Sequence, residues 1–504
     1  MKRRDFIRNM GLFGGSLALG LNGIPVKAFS SPLLLNLEQT NGKILVLLQM
    51  NGGNDGLNTV IPFEDDLYYN KRPQIAIKKE EVLALNELTG LNPALSGFRS
   101  LYEQGKLGLV QNVGYENHNR SHFRATDIWL SGSGAEEHVY DGWVGRYLAE
   151  VYPDFLNEAP EHPMAVQLGA VESMLLQSPM GSMSVVFENP NTFYQMVSGS
   201  LADDDPPLGT LAGTELAFLR KVSAQSNNYA SLIKKTADKG KNSVTYPNTS
   251  IGKQLAIVAS LIGGGLETPV YLTSQSGFDT HANQVASHAK TLGQISEAVS
   301  AFQADLEQLG VADKVVLMTF SEFGRRVEEN GSKGTDHGTA APLFVIGNSV
   351  SGGIIGGNPN LGNLDKNGDL LHQYDYRQVY TTILEDHLGL SKERTGTVLG
   401  KNYDKLGLFQ RSQVVAQNHA PLKLSRVYPN PLKHAAAFEY ELNRSMHTRL
   451  SIFDLKGREV ALVQDGPQHA GKNSQYFLNT LAPGTYIVRL SGEGHYSTQK
   501  IVVV

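Results

Sequence analysis

Carboxylate and imidazole side chains recur in four short polar segments, most of them directly behind an apolar run of the chain. Oxygen and imidazole donors of this kind bind divalent cations. Because the chain has no cysteine, thiolate ligands, thiol nucleophiles and disulfides are excluded, and histidines and carboxylates must hold any metal. The candidate ligands are Asp55, Asp279, His281, Glu322, Asp336 and His337.

Each of these candidates also has a structural explanation, which stays open at the level of sequence. Asp55 lies in a Gly-rich segment, where aspartate commonly stabilises a turn. Residues 279–283 contain several helix-capping residue types and precede a helical pattern. Glu322 stands near two arginines with which a surface carboxylate could pair. The combination of segments, rather than any one residue, indicates a metal site.

The segment 117–132 adds a candidate nucleophile. Ser121 precedes a predicted helix that runs through Trp129, so its hydroxyl stands where free amides and the helix dipole favour negative charge. A nucleophilic hydroxyl, or a bound phosphate or sulfate, would benefit from that position. Serine is also a preferred N-cap residue, so simple capping remains an alternative.

Apolar runs that alternate with helical patterns predict an α/β domain over residues 42–410. A helix over 283–310 has apolar residues at three- and four-residue steps, and a strand follows it directly. This order is typical of a βαβ unit, so we expect a mainly parallel sheet flanked by helices. Ligands bind beyond the carboxyl ends of such strands, which would bring the polar segments together. The predicted strands are residues 43–50, 107–113, 269–274, 315–320 and 343–346.

The first thirty residues predict an export signal. Residues 2–8 are rich in basic residues and residues 10–24 form an apolar, Gly-rich run. That run is shorter than the roughly 20 residues that span a bilayer, so no transmembrane anchor is expected. Two adjacent arginines at positions 3 and 4 resemble the twin-arginine export signal, with an ordinary secretory signal as the alternative.

The C-terminal residues 424–504 consist of short alternating strands, which predict a small all-β sandwich after a polar linker over 411–423. Three motifs, at 427–431, 450–460 and 482–488, resemble the C-terminal sorting domain of type IX secretion substrates. The resemblance implies that export machinery is a partner and that the protein is extracellular or on the cell surface. A generic adhesive sandwich is the alternative.

The motifs within residues 42–410 resemble the exported domain of unknown function 1501 family, which is similar to the alkaline phosphatase and sulfatase superfamily. The motifs are residues 52–58, 119–123, 278–281, 320–325 and 335–339. The resemblance implies an alkaline phosphatase-like α/β fold, divalent metal ligands at the candidate positions above, and a nucleophile at Ser121 ahead of Arg124. Phe323 stands where the superfamily commonly has a histidine, so we expect at most one tightly bound metal.

These expectations combine into a metal-dependent hydrolase that acts on a small phosphate or sulfate ester outside the cell. Arg124 or the helix N-terminus would hold the anionic group. The alternative is an exported binding or surface protein that keeps the fold without the chemistry. A serine hydrolase is less favoured, because Ser121 lacks the Gly-x-Ser-x-Gly elbow. A formal charge of −5 and the lack of a long basic block argue against nucleic acid as a partner.

Overall fold

The computed structural model describes residues 42–155, 159–197, 211–409, 422–442, 445–454, 458–492 and 495–504. Contacts within the chain define two compact units, divided between residues 410 and 411. The predicted signal segment and all but the last residues of the predicted linker lie outside the described residues. Within the described ranges, no helix combines the length and apolar character needed to cross a membrane.

The first unit alternates strands and helices along most of its length. Its strands are β1 (Ile44–Asn51), β2 (Val60–Ile61), β3 (Leu83–Ala84), β4 (Gly90–Leu91), β5 (Leu107–Gly114), β6 (Ala165–Leu168), β7 (Gln177–Ser178), β8 (Gly181–Ser182), β9 (Val185–Phe187), β10 (Val270–Ser276), β11 (Val315–Phe320), β12 (Ala341–Ile346), β13 (Gly353–Ile355) and β14 (Tyr374–Asp375). Its helices are α1 (Gly56–Thr59), α2 (Asp66–Lys71), α3 (Ser96–Glu103), α4 (His122–Ser131), α5 (Trp143–Val151), α6 (Pro190–Val197), α7 (Leu211–Lys239), α8 (Ser250–Gly263), α9 (Gln284–Gln308), α10 (Tyr376–Thr382) and α11 (Lys392–Leu399). Short 3₁₀ segments cover Lys79–Glu81, Pro93–Leu95, Met174–Leu176 and Ala312–Lys314, and a π-helical turn covers Ile383–His387.

The main sheet has the strand order β13-β5-β12-β11-β1-β10-β6-β9, with β14 beside β5. Strand β1 pairs in parallel with β10 and β11, and β10 pairs in parallel with β6. Strand β12 runs antiparallel to both of its neighbours, β11 and β5. The prediction of a mainly parallel sheet flanked by helices is therefore confirmed, with one reversed strand.

The reversal of β12 decides where the polar loops lie. A strand that runs the other way begins at the edge where its parallel neighbours end. The chain leaves β11 at that edge and enters β12 at the same edge, so the loop 321–340 stays beside the carboxyl ends of β1, β5 and β10.

Apolar side chains cover both faces of the sheet, which explains why its strands are continuous apolar runs. In β1, Val46 and Leu48 belong to one buried cluster, and Leu45 and Leu47 belong to the cluster on the opposite face. Helices α3, α8 and α9 contribute to the first cluster, and α4, α5 and α10 contribute to the second. Each helix packs its apolar stripe onto the sheet, as expected for a three-layer α/β unit.

The second unit is all-β. Its strands are β15 (Leu422–Tyr428), β16 (Ala435–Leu442), β17 (Met446–Phe453), β18 (Glu459–Gln468), β19 (Gly471–Leu478), β20 (Gly484–Gly492) and β21 (His495–Val503). They form two antiparallel sheets, β15-β16-β19 and β18-β17-β20-β21. A buried cluster within this unit includes Phe438, Leu450 and Val488. The unit therefore has an apolar core of its own.

This separate core predicts that the first unit folds without the second. A chain truncated at residue 410 should keep the melting transition of the first unit, because the buried clusters of that unit are complete without residues after 410. Differential scanning calorimetry of the full and truncated chains measures this.

The matched control is Leu450→Ala in the full chain. Leu450 is fully buried in the second unit, so its truncation should cost about 2–5 kcal/mol there and leave the first unit's transition in place. Loss of the first unit's transition on truncation would contradict the boundary.

Candidate metal centre

Four parts of the first unit meet at one edge of the main sheet: the loops after β1 and β10, the loop 321–340, and the N-terminus of α4. Three of the side chains there, His122, Asp279 and His337, each offer one ligand atom, and those atoms lie within 4.8 Å of one another. Two are imidazoles and one is a carboxylate. This donor set suits zinc and similar divalent cations.

Asp279 stands at the centre of this group. Its Oδ1 atom lies 3.1 Å from His281 Nε2 and 3.5 Å from the Nε2 atoms of both His122 and His337. The Arg325 guanidinium donates to the same oxygen at 2.6 Å. Burial by itself raises the pKa of Asp279, but the bond to Arg325 and its charge outweigh burial and lower that pKa below its usual value. Asp279 is therefore a carboxylate at neutral pH.

Glu322 orients His122. The His122 Nδ1 atom lies 2.8 Å from Glu322 Oε1, and since a carboxylate can only accept, the imidazole donates from Nδ1. The lone pair of a neutral His122 then lies on Nε2, which is buried and has no hydrogen-bond partner among the described residues. The same Glu322 oxygen accepts from the backbone N–H of Gly52 at 2.9 Å. Glu322 therefore contacts the Nδ1 side of the His122 ring, and the Nε2 side of that ring faces Asp279.

Backbone and side-chain acceptors orient the other two imidazoles in the same way. His337 donates from Nδ1 to the carbonyl of Arg120 at 2.8 Å, and His281 donates from Nδ1 to Asp336 at 3.1 Å. The Nε2 atoms of His281 and His337 then face each other at 3.0 Å. Burial, together with nearby positive charges, lowers the pKa of His337, which keeps its imidazole neutral at pH 7.

Three imidazole nitrogens and one carboxylate oxygen therefore converge with their other ring nitrogens held by acceptors. Two lone pairs 3.0 Å apart repel unless a proton or a cation lies between them. An oxygen acceptor behind each ligating imidazole is the usual arrangement in metal sites. The residues present consequently fit a divalent cation bound by His122, Asp279 and His337, with His281 beside them.

Arg325 fixes the loops that carry these ligands. Its side chain is fully buried and donates to the carbonyls of Gly53 at 2.8 Å and Thr335 at 2.8 Å, to the carbonyl of Gly52, and to Asp279. These acceptors lie in three segments of the site: residues 52–53 after β1, Asp279 after β10, and Thr335 in the loop 321–340. A single guanidinium with five N–H donors can satisfy them all, which a lysine could not.

Phe323 occupies the space between the imidazoles and the loop after β1. Its ring centroid lies 4.9 Å from that of His122 and 4.7 Å from that of His337. Gly53 has φ +74°, and a Cβ atom there would come within 2.2 Å of the Phe323 ring. The glycine allows the ring to approach the backbone, and the buried ring offers no ligand atom at this position.

The structure places Asp55 outside the group of converging ligand atoms. It is fully buried, caps α1 through Leu57 N–H, and accepts from Arg72 Nη1 at 2.7 Å and Nη2 at 3.0 Å, and also from Gln284. Both of its carboxylate oxygens thus accept hydrogen bonds from Arg72 or Gln284, and neither belongs to the group formed by His122, Asp279 and His337. Asp336 likewise contributes by orienting His281 and is itself more than half exposed.

The two residues predicted to take part in catalysis lie at the start of α4. Ser121 is the exposed N-cap residue, and its side chain makes no capping hydrogen bond. It is flanked by Arg120, whose carbonyl holds His337, and by His122. The Arg124 Nη2 atom donates to the carbonyls of Ala135 and Glu137.

The sequence analysis does not include His122 among the candidate ligands, although the structure places it in the converging group. The signal was present, because His122 follows the candidate nucleophile directly in the segment 119–123. Nothing in the sequence pairs His122 with Glu322, because the two residues are 200 positions apart.

Family models match the ranges that contain the motifs at 278–281, 320–325 and 335–339 and the C-terminal motifs, whereas residues 52–58 and 119–123 lie outside the matched ranges. Residues 202–414 match the family described as a protein of unknown function, DUF1501, and residues 426–504 match the secretion system C-terminal sorting domain. The match to the sorting domain indicates export to the extracellular space or the cell surface and implies export machinery as a partner. No curated protein matches the chain.

Several solved structures are similar to parts of the chain at low scores. A protein of the alkaline phosphatase superfamily from Vibrio parahaemolyticus is 9% identical, with 84% of this chain and 82% of that one covered and a TM-score of 0.32. Lipoteichoic acid synthase LtaP from Listeria monocytogenes is 9% identical over 88% and 87%, with a TM-score of 0.34. Dimeric latent PorU from Porphyromonas gingivalis is 21% identical over 16% of this chain, with a TM-score of 0.13, and the match spans only 9% of PorU.

The buried Asp55–Arg72 pair makes a prediction for stability. Arg72→Met should lower the free energy of unfolding at pH 7 by about 3–5 kcal/mol, because it leaves a buried carboxylate without its cation. The pKa of Asp55 in the folded chain lies below its ordinary value of 3.8, so the pair stabilises above that pH and its contribution disappears as pH falls through the folded-state pKa. The difference between wild type and variant should therefore narrow on acidification, as measured by urea unfolding.

Lys71→Met is the control for this experiment. Lys71 pairs with the exposed Glu328 at 2.9 Å, and such a surface pair contributes less than about 1 kcal/mol. Equal losses in the two variants would contradict the assignment of Asp55 to a buried structural pair.

Proposed function

We propose that this chain is an exported hydrolase of small phosphate or sulfate esters that depends on one divalent metal ion. The observation that supports the proposal best is the convergence of the Nε2 atoms of His122 and His337 on Asp279 Oδ1, with His122 Nε2 buried and without a hydrogen-bond partner among the residues that the structure describes. A bound divalent cation would polarise the ester and stabilise the charge that develops on its oxygens.

The chain's own residues divide the remaining work. Ser121 supplies an exposed hydroxyl at the N-terminus of α4, next to a ligand residue on its C-terminal side. Because the Ser121 side chain caps none of the amides of α4, the first-turn N–H groups are available to an anionic group, as the helix dipole favours. We assign the anion to this helix terminus rather than to Arg124, whose guanidinium is bound to backbone carbonyls.

Hydrogen-bond acceptors on the Nδ1 side of each imidazole fix the orientation of its ring. Glu322, the carbonyl of Arg120 and Asp336 each bind an Nδ1–H, which leaves each Nε2 lone pair directed at the same region. Phe323 occupies the adjoining space with a side chain that cannot ligate. We therefore expect a single tight cation rather than a pair.

The proposed metal site leads to a prediction about zinc binding. Purified protein should bind one equivalent of zinc per chain, and His122→Ala and His337→Ala should each weaken zinc binding by more than the roughly 10–100-fold that loss of a group behind a ligand costs, because each removes a ligand atom. Isothermal titration calorimetry measures both the number of sites and the affinity.

His447→Ala is the control variant, since His447 pairs with Asp465 in the second unit. Its zinc affinity should equal that of wild type. Two equivalents of tightly bound zinc in the wild type, or unchanged affinity in His122→Ala, would overturn the proposed centre.

The proposed nucleophile, Ser121, leads to a prediction about ester hydrolysis. Ser121→Ala should abolish hydrolysis of aryl phosphate and sulfate esters, and should change the free energy of unfolding by no more than about 0.5 kcal/mol, because the hydroxyl makes no capping bond. Initial rates with zinc, magnesium and manganese supplied separately, together with urea unfolding, measure both effects.

Thr249→Ala is the matched control. Thr249 caps α8 by accepting from Gly252 N–H at 3.1 Å, so this variant should lose about 0.5–2 kcal/mol of stability and keep its activity. If the wild type binds zinc but hydrolyses no ester with any of the metals, the exported binding protein becomes the better description. Full activity in Ser121→Ala would exclude Ser121 as the nucleophile.

A further inference from the structure

One buried carboxylate near the centre, Asp369, has an arrangement that stability does not explain. Its side chain is fully buried, and its Oδ2 accepts from Arg120 Nη1 at 2.9 Å. Its Oδ1 lies 3.6 Å from Arg326 Nε and accepts no hydrogen bond among the described residues. A buried carboxylate oxygen without a donor is unfavourable, and such groups in folded proteins call for an explanation.

The pKa of Asp369 also indicates that its carboxylate is incompletely paired. Burial raises the pKa of Asp369, and the charges of Arg120 and Arg326 offset that rise only in part. The carboxylate therefore contributes less to folding than a well-paired group would. Buried polar groups that are not fully paired are expected mainly at functional sites.

The two arginines that face Asp369 belong to two of the chain segments that build the metal centre. Arg120 directly precedes Ser121 and holds His337 through its backbone carbonyl. Arg326 follows the buried Arg325, and its backbone N–H donates to the carbonyl of Asp336 at 3.0 Å. The Asp369 side chain thus contacts both segments from one side.

The position of Asp369 is itself fixed by a tight turn. Its backbone N–H donates to Asp365 Oδ1 at 2.8 Å, and its carbonyl accepts from Asp365 N–H at 2.9 Å. Because the turn fixes the backbone of Asp369, the short carboxylate side chain has a defined position, and the longer side chains of Arg120 and Arg326 are oriented toward it.

We propose that Asp369 is a positioning residue that holds residues 120–122 against the loop 325–337, so that His122 and His337 face the same cation. The proposal rests on the proposed function, because it assigns Asp369 a role in metal binding. Asp369 acts through Arg120 and Arg326 and touches neither the cation nor the substrate.

The experiment compares zinc affinity in wild type, Asp369→Asn and Arg120→Gln, by competition with a chromophoric chelator. Both variants should fold, and both should bind zinc on the order of 10-fold more weakly, the lower range for residues behind metal ligands. Arg120→Gln should reproduce Asp369→Asn because each removes the same ion pair.

Asp305→Asn is the matched control. Asp305 is also fully buried, and it accepts from Asn242 at 2.8 Å, from Ser243 N–H at 2.6 Å and from Tyr246 at 3.0 Å, all outside the metal centre. This variant should lower the melting temperature and leave zinc affinity unchanged. A general loss of stability would therefore be distinguished from loss of positioning.

Hydrogen–deuterium exchange of residues 119–123 provides a readout that does not depend on metal. Those amides should exchange faster in Asp369→Asn than in wild type or Asp305→Asn. If wild type binds zinc and Asp369→Asn binds it equally well, the positioning role is wrong while the metal centre stands. If wild type binds no zinc, the proposed function fails, and unchanged exchange in Asp369→Asn would overturn the positioning role as well.

Discussion

The buried guanidinium of Arg325 is the interaction on which the candidate centre depends. It donates to the carbonyls of Gly52 and Gly53 after β1, to the carbonyl of Phe278 at 3.2 Å after β10, and to Asp279. These loops follow the neighbouring strands β1 and β10, and the Phe278 N–H also donates to the Asn51 carbonyl at 3.2 Å. One planar cation with several donors connects their backbones and lowers the pKa of the carboxylate between the imidazoles.

The sequence was sufficient to predict the fold because the strands are buried on both faces. The predicted strands 43–50, 107–113, 269–274, 315–320 and 343–346 correspond to β1, β5, β10, β11 and β12 within two residues at each end. Their apolar runs follow directly from two-sided burial. The direction of β12 was not predictable, because strand direction depends on connections and packing rather than on residue type.

Prediction of the site was less complete for a physical reason. The types of residue were sufficient to locate the loops that meet at the sheet edge, including those with Asp279 and His337. They were not sufficient to tell a ligand from the group behind it, because a carboxylate can either bind a cation or accept an Nδ1–H. Glu322 does the second, through His122. That distinction depends on angles and distances that only the folded chain defines.

The three candidate ligands lie far apart in the sequence, and this separation affects how the protein would acquire a cation. His122, Asp279 and His337 come together only when α4, β10 and the loop before β12 are all in place, so an unfolded chain offers no comparable group. Binding and folding are then linked thermodynamically: a cation at 100 times its dissociation constant would add about 2.7 kcal/mol to the stability of the whole first unit. A compartment that keeps the chain unfolded could not load it, so the route by which this protein leaves the cell would also determine which cation it carries.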